Sequence, residues 1–162
     1  MVNNEALHLI VKYGNQMARG LDTIDEHRRV LKKEGAVWFG KLGRGIKLST
    51  IAIIKKQVYL GRPAYLFLFQ RSVATNIHRC RIVSIEHRKP AAEDEMIPQY
   101  YYDYELEGRM GLWVKIASLV KCTSKGLDNY HTASSGNKAM QSALRSMAGV
   151  FVISDGASTN VS

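Results

Sequence analysis

The sequence predicts an α+β domain, a small, strongly curved or closed β-barrel flanked by about three helices. Three observations carry this. Short β-rich runs alternate with capped helical stretches in the order β-α-β-α-β-β-β-β-α-β. The helices are too few to cover both faces of a doubly wound parallel sheet. The length of 162 residues, 46% of them hydrophobic, suits one domain with a real core.

Each element has its own signal. Residues 6–13 (ALHLIVKY) read as a strand on the alternation of Leu7, Leu9, Val11 and Tyr13, closed by the break Gly14-Asn15. The first helix runs from Thr23 to Glu34. Thr23 and Glu26 form a capping box, Asp25 and Glu26 suit the positive helix end, and Lys32 and Lys33 suit the other. Gly35 stands where a left-handed residue ends a helix, and Ile24, Val30 and Leu31 supply the buried stripe. Residues 36–40 (AVWFG) are a short strand before the turn Gly43-Arg44-Gly45. Ser49 caps a second helix over Ile51, Ile54 and Val58, which Gly61 and Pro63 stop. Residues 65–69 (YLFLF) form a wholly apolar central strand, and 77–85 (IHRCRIVSI) form the next. An acidic loop at 93–98 precedes Tyr100 to Tyr104 (YYYDY), read as a strand, and a further strand over 111–120 (GLWVKIASLV). A last helix covers 137–147, with Met140, Ala143, Leu144 and Met147 on one face, and 150–153 closes the fold as a strand. The domain is expected over residues 1–154, with 155–162 a flexible polar tail.

Charge is the first functional signal. Lys and Arg total 23 against 14 Asp and Glu, a net charge of +9. Between Arg28 and Lys89 the acids are Glu34 and Glu86 alone, while Glu93, Asp94, Glu95, Asp103, Glu105 and Glu107 gather afterwards. Such polarity favours a surface that faces phosphates, because each neutralised phosphate releases condensed counterions. Lys41, Arg44, Lys47, Arg79, Arg81, Arg88 and Lys89 are the candidate phosphate contacts. No apolar run approaches the ~20 residues of a membrane span and no signal-peptide core is present, so a cytoplasmic protein with no membrane partner is expected.

Catalytic motifs are not found. The sequence has no nucleophile elbow, no HExxH, and no P-loop, since Gly40 to Gly45 lacks the spacing and the terminal Lys-Ser/Thr. Cys80 and Cys122 match no zinc spacing, and the carboxylates at 93–95 read as a solvated loop. The expectation is a non-enzymatic binding module with no metal and no cofactor. The aromatic residues point to its ligand. Trp38 and Phe39 lie beside a glycine turn, Tyr100 to Tyr104 are clustered, and Trp113 opens an apolar strand. Base stacking on an aromatic face contributes about 1–3 kcal/mol per base, and walls on both sides suit a base extruded from its stack. The candidate base pocket is therefore Trp38, Phe39, Ser49, Tyr100, Tyr102, Asp103 and Trp113, with Trp38 as one wall and Ser49 or Asp103 reading the base edge.

These stretches, GAVWFGK, IKLSTIAIIKKQVYLGRPAYLFLF, ATNIHRCRIVSI, GLWVKIASL and NKAMQSALRSMAGVFVI, occur in an order that resembles the PUA-like superfamily, particularly its YTH and EVE branches. The resemblance spans about Leu7 to Ile153. DTIDEHRRVLKKEGAVWFGK further resembles the EVE-like modules at the N-terminus of McrB-type modification-dependent restriction systems. The resemblance implies a reader that flips a modified, methylated base into an aromatic cage. It makes Trp38 the first cage wall, puts Tyr100 to Tyr104 where the family has its second cage Trp, and sets Trp113 on the strand bordering the pocket. DNA is the expected nucleic acid, within a restriction or defence system and partnered with or fused to an NTPase or nuclease. The alternatives are a reader of methylated or structured RNA, a PUA-like hydrolase acting on a nucleoside or amide, and a protein-interaction module.

Overall fold

A computed structural model describes residues 5–14, 20–71, 73–133, 136–145 and 149–155. Eight strands form one sheet: β1 (Leu7–Tyr13), β2 (Val37–Leu42), β3 (Tyr65–Gln70), β4 (Val73–Glu86), β5 (Met110–Ile116), β6 (Val120–Cys122), β7 (His131–Thr132) and β8 (Val150–Ser154). The helices are α1 (Thr23–Glu34), α2 (Leu48–Tyr59), α3 (Gln99–Asp103) and α4 (Ala139–Arg145). The strand order is β2-β5-β4-β3-β1-β8-β7, with β6 also on β4. Only β1 and β3 run parallel; the other paired strands are antiparallel.

The fold is thus α+β as expected; of the expected strongly curved or closed barrel, closure is not found, and the sheet is open with β2 and β7 at its ends. The long strand β4 is what turns it. Its first part pairs with β3 and β6, and its last part pairs with β5 after a register shift between Ile82 and Ser84. An unpaired extra residue of this kind bends a strand and increases its twist. β1 and β2 share no ladder; residues 11–13 of one and 39–42 of the other border the same cavity.

Three apolar clusters explain the composition of the strands. Leu9, Val11, Leu66 and Leu68 pack with Ile24, Phe39, Ile51 and Ile54 under α1 and α2. Ile10, Phe67 and Phe69 point to the opposite face, against Leu127, Ala139, Ala143 and Ile153. Both faces of β1 and β3 are therefore buried, which is why residues 9–11 and 65–69 are continuous apolar runs. The third cluster gathers Trp38, Ile97, Tyr100, Tyr101, Leu106 and Trp113 around α3.

Local chemistry corrects several expectations. α1 begins at Thr23, but its N-cap is Asp22, whose carboxylate accepts from the Asp25 N–H at 3.0 Å. A carboxylate both bonds the free N–H and complements the helix dipole, so it takes the cap ahead of the Thr23 hydroxyl. Gly35 ends the helix as expected, left-handed at φ 84°, its N–H bonded to Leu31 O. α2 is capped by the backbone of Lys47, not by Ser49, which lies exposed inside the helix. Tyr100 to Tyr104 do not form a strand: Gln99–Asp103 is a short helix, which buries the adjacent Tyr100 and Tyr101 together. A strand would have turned one of the two away. The expected single strand at 111–120 is broken into β5 and β6, where the Ser118 hydroxyl accepts from the Arg81 N–H at 3.0 Å. The last helix is described over Ala139–Arg145; residues 146–148, the side chain of Leu144 and tail residues 156–162 lie outside the described residues. Asp155 accepts a hydrogen bond from buried His8 at 2.6 Å. Among the described residues no helix is long and apolar enough to cross a membrane.

Candidate functional site

The cavity of about 430 Å³ lies where the ends of β1 and β3 approach β2 and α3. Its size falls within the range of ~300–1,000 Å³ usual for ligand sites. Tyr13, Phe39, Tyr100 and Tyr101 supply aromatic walls, and Leu21, Leu106 and Met110 add apolar surface. Lys12, Lys41 and Arg71 supply the charge, and among the described residues none that lines the cavity is an Asp or Glu. Among the described residues no group of three His, Cys, Asp or Glu side chains is placed to hold a metal ion.

Strand alternation decides which aromatic residues reach this cavity. Phe39 turns towards the main core, where its ring lies 5.0 Å from that of His27, and it lines the cavity. Trp38 points the other way, is 3% exposed and sits in the α3 cluster. Its indole N–H donates to Glu93 Oε1 at 2.9 Å, and Lys115, opposite it on β5, lies over its ring and bonds Glu93 Oε2 at 3.0 Å. The Trp38 indole, then the Lys115 ammonium, hold Glu93 below the usual carboxylate range. Trp113 is fully buried, its ring 5.7 Å from Tyr101. Neither tryptophan is among the residues that line the cavity.

Gly40 lets Tyr101 close the wall. A Cβ there would lie 2.9 Å from Tyr101 Cε2 and 2.7 Å from Met110 Cγ. The Tyr101 hydroxyl accepts instead from the Gly40 N–H at 2.9 Å, while its ring rests against the buried Trp113. Burial pushes Tyr100 up to about 12 and raises Tyr101 as well, so both phenols stay protonated at neutral pH.

Of the other residues expected at the base pocket, Tyr100 lines the cavity, while Ser49, Tyr102 and Asp103 do not. Tyr102 donates to Asp94 at 2.6 Å and Asp103 accepts from Gln99 at 3.1 Å. Of the expected phosphate contacts only Lys41 reaches the cavity. Arg44, Lys47, Arg81 and Arg88 are exposed elsewhere, Arg79 lies over the Tyr65 ring, and Lys89 is ion-paired with Asp94 at 2.7 Å.

Sequence reasoning missed Tyr13, Lys12 and Arg71. Burial first and the charge of Arg71 second lower the pKa of both Lys12 and Lys41. A signal for Lys12 was available: it interrupts the apolar run of a strand otherwise buried on both faces. Arg71 follows β3, whose Gln70 is in register with Tyr13. Adjacent parallel strands bring their C-terminal ends together, a usual place for ligands.

No curated protein and no solved structure matches the chain. A family model described as Pua-like matches residues 9–152, nearly the whole of it, and with it every element around the cavity. The chain belongs to the PUA-like family.

Proposed function

We propose that the chain binds nucleic acid by taking one extruded base, modified and specifically methylated, into the cavity between β1, β2 and α3. The observation that carries this is the lining itself: among the described residues, four aromatic side chains beside three cationic ones, with no carboxylate. Membership of the PUA-like family supports nucleic-acid or modified-base binding in general. Aromatic walls accept a base by stacking, and cations beside them suit its backbone. DNA is the preferred partner, and the chain acts as a cytoplasmic, non-enzymatic specificity module of a restriction or defence system with an NTPase or nuclease partner. A methyl group contributes by the apolar area that the cavity shields, about 0.8 kcal/mol for one buried carbon.

The test is a panel of matched DNA and RNA oligonucleotides, with and without methyl groups on adenine and cytosine. The expected result is preference for one methylated DNA, with affinity falling steeply as salt is added. Equal affinity for methylated and unmethylated DNA removes the modified base from the reading. Tighter binding to RNA replaces DNA, and binding insensitive to salt points to a protein or small-molecule partner.

A further inference from the structure

We propose that the outward face of α2 is a docking surface for an acidic amphipathic helix of a partner protein. None of residues 43–63 lines the cavity, so this surface stands independently of the base-binding reading.

Two helices of twelve residues pack beside the same core cluster, α1 through Ile24 and α2 through Ile51 and Ile54. Their exposed positions differ in kind. Those of α1 are Asp25, Arg29, Lys32 and Lys33, all charged. Those of α2 include Leu48, Ala52, Ile53 and Tyr59, with Leu60 at the C-cap. Of the seven large apolar side chains exposed among the described residues, this face holds four: Leu48 at 61%, Ile53 at 53%, Tyr59 at 88% and Leu60 at 61%. Scattered exposed apolar residues are ordinary, but four gathered on one helix mark a surface made for contact.

Their spacing is that of a packing ridge. Leu48, Ala52, Lys56 and Leu60 follow at intervals of four, with Ile53 three residues before Lys56 and Tyr59 three after it. Rows of this kind interdigitate with a second helix in the commonest helix pairing, and this one is about 18 Å long. The inner side of α2 holds the ridge in place. Buried Gln57 accepts from the Leu7 N–H at 2.9 Å and donates to Leu7 O at 3.1 Å and Pro63 O at 2.8 Å. α2 is thereby fixed to β1, and its outward side chains can change without disturbing the core.

Charge selects the partner. Residues 35–85 contain no Asp or Glu. Lys55 is bridged to Glu86 at 2.9 Å, whereas Lys47 and Lys56 make no ion pair among the described residues. Lys47 stands at the start of the ridge and Lys56 within it. A second copy of this chain would set lysine against lysine, a juxtaposition that disfavours binding. Phosphates would meet the lysines but leave the apolar side chains in water. A helix with an apolar stripe flanked by carboxylates satisfies both.

The probe is a synthetic helical peptide with leucines at i, i+3 and i+4 spacing and glutamates beside them. Two controls share its length, one with the same residues scrambled and one with lysine in place of each glutamate. Binding is measured by fluorescence anisotropy on the wild type and on Ile53→Gln, Tyr59→Gln and Lys56→Glu, each first shown to melt as the wild type does. The acidic peptide is expected to bind about tenfold or more tighter than either control. Ile53→Gln and Tyr59→Gln should each weaken it about threefold or more, and Lys56→Glu should move the preference towards the lysine peptide. Oligonucleotide affinity should stay within about twofold of the wild type in Ile53→Gln and Tyr59→Gln. Equal binding of the acidic and scrambled peptides, or unchanged binding by all three variants, overturns the proposal. So does a dimer in sedimentation that Ile53→Gln dissociates, which gives the face to a second copy. Binding to phosphatidylserine vesicles that Tyr59→Gln abolishes, with none to the acidic peptide, gives it to a membrane. Loss of oligonucleotide affinity in Ile53→Gln and Tyr59→Gln gives it to nucleic acid.

Discussion

His27 Nε2 and the Tyr101 hydroxyl stand 2.9 Å apart, both fully or almost fully buried, and their contact ties α1 to α3 behind the cavity. The proton positions follow from their neighbours. His27 Nδ1 lies 2.7 Å from Thr23 O, a carbonyl that can only accept, so Nδ1 carries the hydrogen. Nε2 of the neutral ring must then accept from the Tyr101 O–H, whose oxygen accepts in turn from the Gly40 N–H. One chain of bonds therefore fixes Thr23, Tyr101 and Gly40, three residues that line the cavity.

A pH dependence follows. Burial outweighs the Thr23 carbonyl and pushes His27 down to about 4 from its ordinary 6.5. The folded state therefore binds a proton less readily than the unfolded chain. The stability at stake is fully present above pH 6.5, declines by about 1.4 kcal/mol per pH unit below it, and is lost as pH falls through 4. The total is about 3 kcal/mol. Denaturant melts at pH 7, 5.5 and 4 should show the wild type losing more than His27→Gln, which starts less stable but lacks this proton. Parallel losses in the two proteins would disprove the assignment.

Gly40→Ala should destabilise the protein by about 1–3 kcal/mol, the usual cost of overpacking. The new Cβ would press on Met110 Cγ at 2.7 Å and Tyr101 Cε2 at 2.9 Å. Met110 can swing aside, but Tyr101 is held by His27, Gly40 and Trp113. Met110→Ala combined with Gly40→Ala should then recover only part of the loss, leaving the clash with Tyr101. Full recovery would show that the tyrosine is not the rigid partner.

The elements were legible where chemistry is local. Asp25 and Glu26, Lys32 and Lys33, and Gly35 announced α1 because caps and dipoles act within a turn. LHLIVKY announced a strand by its alternating apolar residues, and YLFLF by burial on both faces, which leaves no polar positions. Tyr100 to Tyr104 misled because tyrosine favours strands on average, whereas here packing on Trp38 and Trp113 demands that two neighbours be buried together. Local propensity is a weak prior that such tertiary contacts override. The site was legible in kind, aromatic and basic, and Phe39, Tyr100 and Lys41 were among the candidates. Lys12, Tyr13 and Arg71 were not, because they come together only through the parallel pairing of β1 with β3, and the sequence does not print that register.

Tyr13 offers a stability test with the opposite sign. Its hydroxyl is buried with no hydrogen-bond partner among the described residues, and burial raises its pKa, so the group stays neutral and unbonded. Leaving a buried donor unpaired costs about 1–3 kcal/mol, so Tyr13→Phe should stabilise the protein by up to that amount. For a chain of this size each kcal/mol is about 2–4 °C in Tm. A lower Tm for Tyr13→Phe would show that the hydroxyl has a partner in solution.

The two aromatic residues Trp38 and Tyr100 should fail in different ways. The sequence makes Trp38 one wall of the base pocket, a role whose loss would spare folding and abolish recognition. Its place in the α3 cluster, with the indole bonded to Glu93 and covered by Lys115, argues for the reverse. Trp38→Phe keeps most of the apolar volume but strands a carboxylate oxygen of Glu93, whose side chain is 35% exposed. The cost should be about 1–3 kcal/mol of stability, with affinity for oligonucleotides changed less than about twofold. Tyr100, by contrast, lines the cavity at 9% exposure. Tyr100→Leu keeps an apolar side chain in the cluster but removes the ring against which a base would stack. The loss should be about 1–3 kcal/mol of binding, one to two decades in Kd. Both variants need the same pair of measurements, a denaturant melt and a titration with the preferred methylated oligonucleotide. If Trp38→Phe folds as stably as the wild type and loses discrimination while Tyr100→Leu binds normally, the base sits on the tryptophan face of β2, and the cavity between β1, β2 and α3 is not its site.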